Sequence, residues 1–127
     1  MHSDAPLKAL FEPRSVVVVG ASRHPGKVGH TVLSNLVSSG YTGKILPVNP
    51  AGGDLLGLPV LRDVSELPDG PDLAVICLPR EKVRPVLEAL AAKSLRAAIV
   101  LAAGFKETGK DGWRLEEELA RIARRRG

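Results

Sequence analysis

Four consecutive valines, Val16 to Val19, run directly into the segment Gly20-Ala21-Ser22-Arg23-His24-Pro25-Gly26-Lys27-Val28-Gly29, and that junction constrains the chain more than any other feature. An apolar run without alternation suits a strand covered on both faces, as in a parallel sheet; a strand with one wet face would alternate. Beyond the glycines, Val28, Val32, Leu33, Leu36 and Val37 recur at helical spacing, and Gly40 supplies a stop. Strand, tight turn and amphipathic helix thus follow one another directly. In such a unit the first glycine permits the turn, Gly26 lets a ligand approach the backbone, and Gly29 lets the helix pack against the sheet. Amides at the helix start near Val28 face outward, where they can hold a phosphate. The competing reading is a turn that serves the fold alone.

Three further apolar runs, Lys44 to Val48, Leu73 to Cys77 and Ala97 to Ala102, have the length and composition of short buried strands. After the third strand, Val83, Val86, Leu87 and Leu90 define a helix in which Pro85 is tolerable only near the start, because it donates no backbone hydrogen bond. After the fourth, Leu115, Leu119, Ile122 and Ala123 line one side of a helix that Asp111 can cap. The alternation predicts an α/β sandwich with right-handed crossovers and a mainly parallel sheet of about five strands. The stretch 51–71 is too rich in Gly, Pro and Asp for a long helix; it predicts a brief edge strand at Leu58 to Leu61 and one helical turn at Val64 to Leu67. The expected spatial order is the edge strand, 44–48, 16–19, 73–77, 97–102. Winding then reverses between 16–19 and 73–77, and ligands of such sheets bind in the crevice at the carboxyl ends of those strands.

Composition removes several classes of function. With 127 residues the chain is long enough for a single domain, 1–127, with a real core. Hydrophobic residues at 44% exclude a disordered tail, and no apolar run approaches the length of a membrane span. Aromatics at 3% leave almost nothing from which to build base-stacking platforms. The lone Cys77 permits neither an internal disulfide nor a four-cysteine zinc site, and no spacing supports another metal site. The start, MHSDAPLKALFEPRS, lacks the apolar core of a signal peptide, so the cytoplasm is the expected location. Lys and Arg outnumber Asp and Glu by 18 to 14, but Arg121, Arg124, Arg125 and Arg126 account for the whole excess. A neutral body with a basic helix end does not read as a nucleic-acid binder.

The nucleotide class is narrowed by what is missing. A nicotinamide site ordinarily has GxGxxG and an acidic residue ending the second strand, whereas this loop is longer and the strand ends in Val48-Asn49-Pro50. Gly26-Lys27 is followed by Val28, so the Walker pattern is absent as well. Taken together, LFEPRSVVVVGAS, PGKVG, GKILPVNP, PDLAVICLP and IVLAAGFKETG closely resemble the CoA-binding domain of NDP-forming acyl-CoA synthetases, a group similar to the succinyl-CoA synthetase α subunit. The same domain opens fused proteins that carry an acetyltransferase module. The resemblance spans Leu10 to Arg126, with the five blocks in the family's order.

The resemblance implies a Rossmann-like domain that binds coenzyme A, with Gly20, Ser22, Pro25, Gly26, Lys27 and Val28 around the pyrophosphate. It puts Asn49 and Pro50 beside the adenosine end, and Leu78, Pro79 and Arg80, with Ala102, Ala103 and Gly104, along the pantetheine arm. Many relatives have Lys just after the second strand, where this chain has Ala51-Gly52-Gly53; Arg23, Lys27 and Arg80 are the candidate replacement cations. Family members continue past the point where this sequence stops. The expected context is therefore the N-terminal part of a longer acyl-CoA ligase, whose ATP-grasp and phosphohistidine domains are its partners. In that reaction an acyl phosphate forms, its phosphoryl group passes through a histidine to a nucleoside diphosphate, and the CoA thiol takes the acyl group. On this reading the domain has no catalytic residue of its own. The alternative is a stand-alone module that senses CoA or a dinucleotide without catalysis; an NAD(P)-dependent oxidoreductase is weakened by the absent acid.

Other residues carry a bland reading beside a functional one. His24 and His30 flank the glycines, either as ordinary loop and helix residues or as ligand contacts, since neither has an evident local orienting partner. Cys77, inside an apolar strand, reads as a small hydrophobe. Glu107 reads as a solvated loop charge, Glu116 to Glu118 as surface partners of the arginines, and Trp113 and Tyr41 as packing residues.

Overall fold

The computed structural model describes residues 11–101, so the expectations for Ala102 to Gly104, Glu107, Trp113, Glu116 to Glu118, the arginine cluster and the last helix lie outside the described residues. In chain order the elements are β1 (Ser15–Val19), α1 (Val28–Ser38), β2 (Lys44–Val48), β3 (Asp54–Leu55), β4 (Leu58–Pro59), a 3₁₀ turn (Val64–Glu66), β5 (Leu73–Ile76), α2 (Arg80–Ala92) and β6 (Ala97–Val100). β2, β1, β5 and β6 lie side by side in that order, all parallel. Val17 sits opposite Leu46 on one side and Ala74 on the other.

The valine run is apolar throughout because both faces of β1 are covered. Val17 and Val19 face a cluster with Ile76, Val64, Leu67 and the α2 residues Val83, Leu87 and Leu90. Val16 and Val18 face the opposite cluster, with Leu73, Val75, Leu33 of α1, Leu55 and Val60. Helix, sheet and helix make the three layers expected, with the winding reversal between β1 and β5. Pro85 lies inside α2, in its second turn, and leaves the carbonyl of Glu81 without its usual helical donor. Among the described residues no helix is long and apolar enough to cross a membrane.

Two expectations are corrected. The main sheet has four strands, because the predicted edge strand at Leu58 to Leu61 is extended only over Leu58–Pro59 and pairs antiparallel with Asp54–Leu55, through a tight turn, rather than with β2. Leu56 and Gly57 both adopt positive φ, 51° and 82°, the geometry of a two-residue hairpin. Only Leu61 returns to the main sheet, as a parallel bridge to Val48, with its amide on the Pro47 carbonyl and its carbonyl on the Asn49 amide. The apolar stripe of α1 is also narrower than its spacing predicts. Leu33 is fully buried and Val32 and Leu36 partly so, but Val28 and Val37 are 53% and 42% exposed, at opposite ends of the helix. Burial of Leu33, on the order of 2 kcal/mol, is the main apolar anchor of α1.

Candidate ligand site

The glycine loop is held shut from three sides. The amides of Gly20 and Ala21 both donate to the carbonyl of Val48, at 3.0 and 3.3 Å, which ties the end of β1 to the end of β2. Asn49 donates its Nδ2 to the Ala21 carbonyl at 2.6 Å and accepts the Ala51 amide on Oδ1 at 2.7 Å. A ring nitrogen of His30, Nδ1, lies 3.1 Å from the Ser22 carbonyl, and the Ser22 hydroxyl accepts the His24 amide at 3.1 Å. His30 is thus a brace of the loop rather than an unengaged helix residue.

The three glycines have separate duties. Gly20 has φ +87°, and a Cβ there would overlap the carbonyl oxygen of Cys77 and lie 2.9 Å from its carbon. A Cβ at Gly29 would overlap the carbonyl oxygen of Gly20, so the helix can rest on the turn only because Gly29 has no side chain. Gly26 meets nothing within 4 Å; its backbone borders open space.

The start of α1 is electrostatically open. Its N-cap position is Lys27, with extended backbone and no side-chain acceptor, and the first turn contains no acidic residue. A Ser, Thr, Asp or Asn at the cap would accept from the first-turn amides. Here the amides of Val28 and Gly29 have no backbone acceptor among the described residues. Both residues line a cavity of about 270 Å³ at the carboxyl ends of β1 and β5, beside the positive end of the helix dipole. An anion placed there would receive amide hydrogen bonds without displacing a side chain.

Of the residues expected at the site, the cavity wall contains Gly20, Ser22, Lys27 and Val28 from the loop, Asn49 from the end of β2, and Leu78 and Pro79 after β5. Arg23, Pro25, Gly26, Pro50 and Arg80 are not on that wall. Arg23 instead reaches toward the turn after β2, where its Nη2 donates to the Gly52 carbonyl at 2.8 Å. Arg80 is the first residue of α2. The wall also includes Ala21, Gly29, Cys77 and Leu101, which the sequence reading left out of the site. Burial pushes the Cys77 thiol up to about 11, so at neutral pH it is a protonated, unreactive part of the wall. Among the described residues no cluster of His, Cys, Asp and Glu could hold a metal ion.

A parallel sheet with helices on both faces, and a glycine turn feeding an uncapped helix at the point of reversed winding, defines a Rossmann-like domain that offers a ligand crevice at its strand ends. Residues 14–127 match the family described as CoA binding domain, and the chain belongs to that family. It is 42% identical over 125 residues to the α subunit of ADP-forming acetate–CoA ligase I from Pyrococcus furiosus, a match that covers 95% of this chain and 27% of the relative. A solved structure described as the dinucleotide-forming acetyl-coenzyme A synthetase 1 of Candidatus Korarchaeum cryptofilum in complex with phosphate and ADP superposes with a TM-score of 0.84 at 43% identity, over 95% of this chain and 26% of that one. A conserved hypothetical protein from Pyrococcus furiosus superposes with a TM-score of 0.67 at 29% identity, over 84% of this chain and 87% of that one. The chain thus spans about a quarter of the ligase subunit it matches.

Proposed function

We propose that this chain binds coenzyme A through the glycine loop and serves as the CoA-binding part of an ADP-forming acyl-CoA ligase. The observation that carries the reading is the uncapped start of α1: Val28 and Gly29 line the crevice with no backbone acceptor for their amides among the described residues, beside an exposed Lys27. The CoA diphosphate fits that chemistry: it is anionic, and amide donors with a neighbouring ammonium suit it. The cavity wall changes character away from the amides, with Leu78, Pro79 and Leu101 supplying an apolar side for the pantetheine arm. The domain's contribution to the reaction is positional. By holding CoA along the strand ends it presents the thiol to an acyl donor carried by the rest of the ligase, and so lowers the entropic part of the barrier.

Isothermal calorimetry on the chain with CoA and with NAD tests the ligand. Tighter binding of CoA is expected, and tighter binding of NAD would overturn the assignment. A second reading, a CoA-sensing module that works alone, is favoured by the Pyrococcus furiosus protein whose own length is largely covered by this fold. Grafting the chain in place of the matching quarter of a related acetate–CoA ligase separates the two. Restored acyl-CoA formation supports the ligase reading; CoA binding without restored turnover supports the sensor.

A further inference from the structure

At the carboxyl end of β2 the chain turns through Asn49-Pro50-Ala51-Gly52-Gly53, and two guanidinium groups close on the glycine pair. Arg23 crosses from the glycine loop, donating Nη2 to the Gly52 carbonyl at 2.8 Å and, at the limit of hydrogen bonding, to the Asp54 carbonyl at 3.5 Å. Arg62 comes from the other side, just after the bridge residue Leu61. A Cβ at Gly52 would lie 2.8 Å from Arg62 Nε and 3.1 Å from its Cγ, and a Cβ at Gly53 would lie 2.5 Å from Arg23 Nη2. Both glycines have left-handed φ, 65° and 82°. Their lack of side chains therefore serves two ends: the turn, and the approach of two arginines to adjacent residues.

Two guanidinium groups brought to adjacent residues concentrate positive charge locally, and a bound anion would be drawn to it. Among the described residues no carboxylate forms an ion pair with either guanidinium. The acids nearest in sequence have other partners: Asp63 accepts the Ser65 amide at 3.0 Å, and Glu66 accepts the amide, not the guanidinium, of Arg62 at 2.9 Å. Asp54 contributes its backbone carbonyl to Arg23, and its exposed carboxylate pairs with neither arginine. Arg23 is anchored by carbonyls, and both side chains are exposed with donors to spare.

The place of this pair in the fold specifies the anion. In Rossmann-type sheets the end of the second strand lies beside the nucleotide ribose; an acid there takes free ribose hydroxyls, and an arginine accommodates a phosphate on the ribose. This chain has no acid at Val48-Asn49-Pro50 and two arginines just beyond. We infer that Arg23 and Arg62 read a phosphomonoester on the ligand's adenosine ribose, and so select phosphorylated-ribose ligands over those with a free ribose. The inference rests on the CoA reading above, and it adds Arg62, which nothing in the sequence places near the site.

Calorimetry at low ionic strength with CoA and dephospho-CoA, which differ only in that phosphate, tests it on the full chain. The wild-type chain is expected to bind CoA at least tenfold more tightly. Arg62→Gln should lower CoA affinity about tenfold, leave dephospho-CoA affinity unchanged, and leave the melting temperature unchanged because the side chain is exposed. Arg23→Gln should narrow the CoA to dephospho-CoA ratio in the same direction. Equal wild-type affinities for the two ligands would overturn the arginine pair while the CoA site stands. So would an Arg62→Gln variant that weakens both ligands equally. Failure of both ligands to bind the folded wild-type chain would overturn the CoA reading, and this inference with it.

Discussion

Gly26 and Gly29 lie three residues apart in one loop, yet the structure gives replacement of each a different consequence. A methyl group at Gly29 would overlap the Gly20 carbonyl oxygen and lie 2.9 Å from the carbonyl carbon and 3.2 Å from Ala21 Cα. All three neighbours are backbone, so relief requires α1 to lift from the sheet. Overpacking of that kind costs up to about 3 kcal/mol. Replacing a helical glycine by alanine returns about 1 kcal/mol through helix propensity, so the net loss is about 2 kcal/mol. For a chain of this size that lowers Tm by roughly 8 °C. At Gly26 no atom lies within 4 Å of the added group, and φ is not in the left-handed region. Gly26→Val should therefore melt within about 2 °C of wild type while reducing CoA affinity at least tenfold, about 1.4 kcal/mol, by crowding the backbone where the ligand approaches. Scanning calorimetry and isothermal titration on both variants give the four numbers required. Unchanged CoA affinity in Gly26→Val would refute the approach of the ligand to Gly26, which lies off the cavity wall, and an unchanged Tm in Gly29→Ala would refute the packing argument.

Lys27→Ala should weaken CoA binding at low salt and flatten its dependence on ionic strength, since an exposed cation near a phosphate is screened by added ions; an unaltered salt slope would remove Lys27 from the phosphate contacts. Cys77 should alkylate with iodoacetamide about a hundredfold more slowly in the folded chain than in urea below pH 9, because its pKa stands near 11 against 9.0 for a free thiol. The sign for stability follows: the unfolded chain loses this proton first, so the contribution is intact below about pH 9 and is lost as the pH rises toward 11. Saturating CoA should slow the reaction further, because Cys77 lines the crevice. Equal native and denatured rates would contradict the burial.

The four sheet strands were legible because each is buried on both faces and so written as an uninterrupted apolar run. Their order followed from the alternation with helices, and the crevice followed from that order. What escaped the sequence reading depended on contacts between distant segments. The Leu56-Gly57 turn that folds the edge strand into a hairpin places a leucine at φ 51°, a conformation that its residue type does not advertise. The exposure of Val28 and Val37 depends on where α1 overhangs the sheet, which helical spacing alone does not contain. Asn49, expected on the ligand side, does line the cavity; what its residue type did not show is that its side-chain amide also holds the Ala21 carbonyl and the Ala51 amide. The brace between His30 and Ser22 spans eight positions and had no local signature. Lys27 was named in the sequence reading as a loop residue and candidate cation; that it is also an N-cap position without a side-chain acceptor emerged from the structure.

That choice of residue connects stability to function. An uncapped helix start forgoes about 1 kcal/mol that a serine or aspartate at position 27 would supply. Leu33 is the one large side chain of α1 that is fully buried, so the helix has little apolar surplus with which to offset the loss. The same vacancy is what makes the Val28 and Gly29 amides available, because a capping side chain would occupy the donors that a diphosphate needs. On the proposed function, a bound anion would take the part of the missing cap, accepting from the amides at the start of α1 and meeting the helix dipole beside the ends of β1 and β5. Binding and local folding stability would then be the same hydrogen bonds counted in two states. Ligand at a hundredfold excess over its dissociation constant stabilises the folded chain by about 2.7 kcal/mol, more than the cap alone would have contributed.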